Sequence, residues 1–175
     1  MSSGRVQVIV ITGPPGVGKS TTAIAVSDVL AQRDIPHAMI DMDHVRWLVP
    51  GSESDPRNVQ MGLKHLSILT ESYRMAGAQV LILADVVAAE EPHAMFKQAI
   101  PDSGVTIVRL RLPLVTIRER IAEREPEGQH DWFMDKAALV SRVYDELDVG
   151  DLVVDCLEKS PEEIARELLG RIHRS

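Results

Sequence analysis

Gly13-Pro14-Pro15-Gly16-Val17-Gly18-Lys19-Ser20 has the spacing G-x-x-x-x-G-K-[ST], and the reading of the whole chain turns on this octapeptide. The run before it, Val6-Gln7-Val8-Ile9-Val10-Ile11-Thr12, is β-branched and apolar and is expected to be a strand. The run after it, from Thr21 to Ala31, repeats apolar residues at helical spacing. Strand, glycine-rich loop and helix stand in the order that a phosphate-binding loop requires. The residue types fit that chemistry. Glycines let the backbone curl so that successive N–H groups point inward, and the helix start adds its positive dipole end. Lys19 then reaches the β- and γ-phosphates, and the Ser20 hydroxyl ligates Mg²⁺. Gly13, Pro14, Pro15, Gly16, Val17, Gly18, Lys19, Ser20 and Thr21 are therefore the candidate nucleotide-binding residues. The two prolines stiffen the loop without removing a donor from the Gly16–Ser20 stretch.

The chain has 175 residues, a net charge of −7 and 45% hydrophobic content, which suits one domain with one sheet covered by helices on both faces. The acidic balance argues against a nucleic-acid surface, because phosphate backbones demand clustered Lys and Arg. Small-molecule partners fit better. A single cysteine, Cys156, rules out an intramolecular disulfide framework and suits a reducing, cytoplasmic setting; it reads as a small buried residue at a strand end. Met1-Ser2-Ser3-Gly4-Arg5 leads into a short apolar stretch that the loop interrupts, so no signal peptide is expected. No run approaches the roughly 18 apolar residues of a membrane span. The six histidines are dispersed, which leaves nucleotide-borne Mg²⁺ as the expected metal.

Working outward, the first helix is expected to end near Gln32, before Asp34-Ile35-Pro36, and His37-Ala38-Met39-Ile40 reads as a second strand ending at Asp41-Met42-Asp43. A strand-helix-strand unit implies a parallel sheet with a right-handed crossover, whose ligands sit beyond the carboxyl ends of the strands. His44 to Val49 reads as a short helix stopped by Pro50-Gly51, and Ser52 to Asn58 as a polar, mobile loop. Val59 to Met75 reads as a long helix capped by Gly77, and Val80 to Asp85 as a third strand covered on both faces. A loop through Ala88-Ala89-Glu90-Glu91 leads to a helix from Pro92 to about Ile100, with strands expected at 105–111 and 151–155. Pro113 to Arg124 reads as a helix broken by Glu125-Pro126-Glu127-Gly128-Gln129-His130, and Asp131 or Asp135 as the cap of the next, which runs to about Leu147. Ser160-Pro161-Glu162-Glu163 reads as a capping box opening a final helix to about His173.

This order of parts resembles the small P-loop kinases, among them the shikimate, gluconate and adenylylsulfate kinases, the chloramphenicol phosphotransferase and, more distantly, adenylate kinase, within the kinase-like AAA-type ATP-binding proteins. The resemblance rests on the phosphate loop, Asp41-x-Asp43 after the second strand, Asp85 after the third, Arg120 and Arg124 at i and i+4 on a late helix, and a Pro/Gly lid. It implies a three-layer α/β P-loop fold with a five-stranded parallel sheet in the order 2-3-1-4-5, an acceptor-binding region over about 43–75 and a short lid over about 125–134 in a single domain 1–175. It also implies an ATP-dependent kinase that transfers the γ-phosphoryl of Mg-ATP to the hydroxyl of a small molecule.

Two residues apart on an extended segment, Asp41 and Asp43 would share a face. The resemblance makes Asp43 the base or hydroxyl-orienting group and Asp41 a magnesium ligand through water. Arg46 matches the arginine of the adenylylsulfate kinases' D-G-D-N-V-R, here Asp41-Met42-Asp43-His44-Val45-Arg46, and with Asp85 becomes a candidate acceptor contact. Asp85 alternatively meets the metal. In the R-x-x-x-R pattern, Arg120 would pack on adenine and Arg124 would carry lid-borne charge to the phosphates, roles that a planar guanidinium suits. Trp132 and Phe133 are expected to close over the ligand from the lid. Asp155-Cys156-Leu157 is expected to form part of the adenine rim. The competing classes are a nucleotide-dependent ATPase or switch and a regulatory nucleotide-binding module. Against the former, the chain has no N-K-x-D run for guanine, and Asp85 is followed by Val86.

Overall fold

The computed structural model describes residues 5–87 and 91–173, so the loop expected across Ala88–Glu91 lies outside it as far as Glu90. The elements alternate along the chain as β1 (Gln7–Thr12), α1 (Lys19–Ala31), β2 (His37–Asp41), α2 (Met42–Val45), α3 (Val59–Met75), β3 (Val80–Asp85), α4 (Pro92–Ala99), β4 (Gly104–Arg111), α5 (Leu114–Arg124), α6 (His130–Glu146), β5 (Leu152–Asp155) and α7 (Pro161–Ile172), with one 3₁₀ turn at Glu127–Gln129. Each neighbouring pair of strands is parallel, in the order β2-β3-β1-β4-β5. No helix among the described residues is long and apolar enough to cross a membrane.

Alternation along the strands explains the three layers. Ile9, Ile11, Ile82, Ala84, Val108 and Leu110 point to one face, where α1, α5 and α7 bury Val26, Ile117, Ile121 and Leu168 against them. Val8, Val10, Ile40, Leu81, Leu83 and Ile107 point to the other, where α3 and α4 contribute Leu66 and Phe96. Both faces of the strands are apolar, so both need helices.

Local signals set several boundaries. Ser160 accepts from the Glu163 N–H at 3.3 Å while the Glu163 carboxylate takes the Ser160 N–H at 2.7 Å, closing the capping box ahead of Pro161. Gly77, at φ 96°, follows the end of α3 in the left-handed region that stops a helix.

Three expectations change. The short helix begins at Met42 and ends at Val45 rather than spanning His44–Val49, because Asp41 caps it by accepting the Asp43 N–H at 3.1 Å. Asp43 is therefore helical and does not share a strand face with Asp41. Gln129, and neither Asp131 nor Asp135, is the cap residue of α6, whose first turn already contains Trp132 and Phe133. Pro126 and Gly128 break the chain only as far as Gln129, so the two aromatics stand on the first turn of α6.

The loop between β1 and α1 is clamped from below. Thr12 Oγ1 meets Tyr144 Oη of α6 at 2.7 Å and accepts the Val87 N–H at 3.1 Å. Arg109 of β4, 6% exposed, donates to the Tyr144 carbonyl at 2.8 Å and pairs with Asp145. Gly13 turns away at φ 154°, where an added Cβ would stand 2.8 Å from Val17 Cγ1 and 3.0 Å from the Leu110 carbonyl oxygen. Gly13→Ala should cost about 3 kcal/mol, from backbone strain and the forced shift of Val17. Urea unfolding checks this; an unchanged midpoint would contradict the loop geometry.

Candidate functional site

The carboxyl ends of β2, β3 and β1 line up because the register is parallel: Asp41 pairs with Ala84, and Asp85 with Thr12. The phosphate loop and three aspartates thus share one rim of the sheet.

The loop carries its own construction. Val17 N–H donates to the Pro14 carbonyl at 3.3 Å, and α1 begins at Lys19, so the first-turn N–H groups of Lys19, Ser20 and Thr21 have no partner within the helix. Gly16, at φ 82°, lies against α5, where a Cβ would come within 3.1 Å of Ile121 Cγ1 and 3.2 Å of Ile117 Cγ2. That close approach seats the loop against α5, the helix that carries both arginines.

Lys19 folds back across this cradle, donating to the Gly13 and Pro14 carbonyls at 3.1 and 3.2 Å. Burial brings its pKa down from 10.5 to about 8, with the negative charges of Asp43, Asp85 and Asp41 opposing the fall and the positive charge of Lys136 adding to it. A half-buried ammonium facing three carboxylates is poised to exchange carbonyl partners for phosphate oxygens.

Ser20 Oγ donates to Asp41 Oδ2 at 2.7 Å, while Asp41 Oδ1 caps α2. A serine hydroxyl and a carboxylate oxygen in hydrogen-bond contact form a small, hard donor set. It suits Mg²⁺, which keeps several waters and draws its remaining ligands from phosphates. Asp43, 76% exposed, stands at the mouth of the site in a loose ion pair with the Arg46 guanidinium, 3.7 Å away.

Arg46 and Asp85 meet each other. Arg46 Nη2 pairs with Asp85 Oδ1, and its Nε donates to the Met42 carbonyl at 3.1 Å. Asp85 is 5% exposed, and burial raises its pKa against the pull of the Arg46 charge and hydrogen bond. Gly62 of α3 makes room for this arginine, since a Cβ there would lie 3.2 Å from Arg46 Cβ. The polar stretch before α3 is internally bonded: Asn58 Nδ2 donates to the carbonyls of Arg46 and Leu48 at 3.0 and 2.7 Å, and Asp55 accepts from the N–H groups of Val59 and Met61.

Arg120 and Arg124 sit on α5 as their spacing implies, but their side chains diverge. Arg120 Nη1 lies 3.4 Å from the Val17 carbonyl, over the loop, whereas Arg124 points to Glu125 in an exposed pair. Cys156 is buried, with its thiol pushed up to about 11 by burial, and its N–H donates to the Arg111 carbonyl. Asp155 is bound on both oxygens by Arg111, and Leu157 is half exposed beyond it. Lys136 is the group that sequence reasoning overlooked. It rests 4.6 Å over the Trp132 ring, four residues earlier on α6, and its charge is felt by Lys19. The W-x-x-x-K spacing was its available signal.

A family model described as an AAA domain matches residues 9–140, most of the chain. No curated protein matches the sequence significantly. Among solved structures, the Deinococcus radiodurans tunicamycin resistance protein superposes with a TM-score of 0.66 at 22% identity, covering 96% of each chain. The Mycobacterium tuberculosis APS kinase, in complex with AMPPNP and APS, gives 0.62 at 19% identity over 97% of this chain and 99% of that one. The Acinetobacter baumannii shikimate kinase, in complex with shikimate, gives 0.60 at 16% identity over 97% and 96%. At these identities the likeness establishes the fold, which is the one those kinases have.

The Lys19 shift has a measurable consequence. The free site holds the ammonium below pH 8 and loses it above, and phosphate oxygens favour the charged form. Nucleotide binding should therefore take up a proton above pH 8, and affinity should fall as the pH rises further. Calorimetry in buffers of different ionisation enthalpy reads the uptake; none between pH 8 and 9.5 would contradict the assignment.

Proposed function

The chain belongs to the AAA domain family, and on that premise we propose that it is an ATP-dependent phosphotransferase acting on the hydroxyl of a small molecule. One observation carries the reading: Lys19 lies within electrostatic reach of Asp43, an aspartate that is exposed at the mouth of the site while Asp41 and Asp85 are engaged by other groups. A nucleotide-binding module has no need of an exposed, loosely paired carboxylate beside its phosphate lysine, whereas a transferase needs one to receive the acceptor proton.

The loop N–H groups and Lys19 hold the β- and γ-phosphates, Arg120 packs on the adenine, and Asp155-Cys156-Leu157 forms part of its rim. Ser20, with Asp41 through water, would hold Mg²⁺, which would supply charge neutralisation at the phosphate oxygens. The acceptor oxygen attacks the γ-phosphorus as the bond to the β–γ bridging oxygen breaks. The hydroxyl proton passes to the Asp43 carboxylate, and ADP leaves. Lys19 and Arg124, once the latter exchanges Glu125 for phosphate, stabilise the charge on the transferring group. The Arg46–Asp85 pair holds the wall on which Asp43 stands. The 3₁₀ turn and its flanks act as the lid, excluding water from the transfer.

Lys19→Ala should abolish nucleotide binding. Asp43→Asn should leave nucleotide affinity within about twofold and lower turnover by roughly 10²- to 10⁴-fold, the usual worth of a general base. Equilibrium binding together with transfer assays separates the two variants, and normal turnover in Asp43→Asn would refute its role.

A further inference from the structure

The surface next to Asp43 is apolar, and the arginine within it is already engaged. Trp47, Leu48 and Val49 follow α2 directly and are 75%, 50% and 81% exposed, a contiguous run of large hydrophobic side chains open to water. The Trp47 ring lies nearly parallel to His44, with centroids 6.3 Å apart and planes at 12°. The run is a fixed platform rather than a loose loop, because Asn58, 7% exposed, ties the carbonyls of Arg46 and Leu48 from behind.

Between Asp41 and Pro56 the chain has one arginine and no lysine. That arginine, Arg46, faces inward: its guanidinium is shared among Asp85, the Met42 carbonyl and Asp43, and its side chain is only 16% exposed. Arg57 and Lys64 are exposed, and solvated cations of this kind are weak anchors. Lys64 also stands two residues from Gly62, roughly 200° around α3 from the side that touches Arg46. Two carboxylates, Asp43 and Asp85, therefore share one committed guanidinium here, and Asp41 is held by Ser20 beside them. Lys19 is turned to the phosphate loop. An anionic acceptor would bring a further negative charge into this field, and like charges brought together discriminate against such a ligand.

We infer that the acceptor is a neutral or cationic hydroxyl compound with a flat apolar body, seated on the Trp47 platform with its hydroxyl at Asp43, and not a carboxylate- or phosphate-bearing acid. The inference rests on the kinase reading for the position of the acceptor. Arg46 is then a positioning residue, holding the platform through Asp85, and anchors no anion.

Three probes share one phenyl-and-hydroxyl frame and differ in charge: phenylalaninol, 3-phenylpropane-1,2-diol and 3-phenyllactate. In a Trp132→Phe chain, Trp47 is the sole tryptophan and its emission reports the platform. With AMPPNP and Mg²⁺ present, the cationic and neutral probes should quench it saturably, with at least about tenfold tighter binding than phenyllactate. Trp47→Ala should weaken their binding in equilibrium dialysis, and Asp85→Asn, which releases Arg46, should narrow the preference by strengthening phenyllactate. Equal or tighter binding of phenyllactate to the unaltered site would overturn the inference, and so would the absence of saturable binding by both other probes. Binding in the expected order without transfer from γ-labelled ATP to any hydroxyl would defeat the kinase reading and leave the ligand class supported.

Discussion

The parallel register of β2, β3 and β1 brings Asp41, Asp85 and Thr12 to one rim, and every chemical group of the site depends on that alignment. A one-residue slip would turn each of these side chains to the opposite face of the sheet. The rim then imposes a problem of charge, since three carboxylates crowd the mouth of a loop built to receive phosphates. The fold answers with two cations used differently. Arg46 is spent on Asp85 inside the protein, where breaking the pair would strand a buried charge. Lys19 stays provisional, resting on two backbone carbonyls with a lowered pKa.

That division separates the two halves of the site. On the nucleotide side, the groups are either fixed, as the loop backbone is, or held by partners they can exchange, as Lys19, Ser20 and Arg124 are. On the side we propose for the acceptor, Arg46, Asp85, Asn58 and Asp55 are consumed in holding α2 and the platform, which leaves Asp43 and the Trp47 surface exposed. The phosphate loop needs the same kind of support from underneath. Thr12, Tyr144 and Arg109 supply it through a network linking β1, α6 and β4.

Much of this was legible in the residues. Five apolar runs separated by helical patterns predicted the strands, and α3 was placed at Val59–Met75 because a long amphipathic period lies between a polar turn and Gly77. The strand order came from the family resemblance. The start of α2 was misplaced because D-x-D after a strand reads equally as alternation or as a helix cap, and the capping bond decides between them. Trp132 and Phe133 follow Pro126 and Gly128 so closely that they read as part of one broken stretch, although helical spacing resumes at His130. The Arg46–Asp85 pair, 39 residues apart, and the Thr12–Tyr144 bond, 132 apart, have no local signature. Their partners meet only once the five-stranded sheet and its helices have assembled.

The most direct test of the central claim is the destination of the γ-phosphoryl group. The protein would be incubated with γ-labelled ATP, Mg²⁺ and a pool of hydroxyl compounds, and the products separated into phosphate esters and inorganic phosphate. Label in an ester of one acceptor, dependent on Lys19, is the predicted result. Label released only as inorganic phosphate, at a rate indifferent to every acceptor, would contradict the account and make the chain an ATPase.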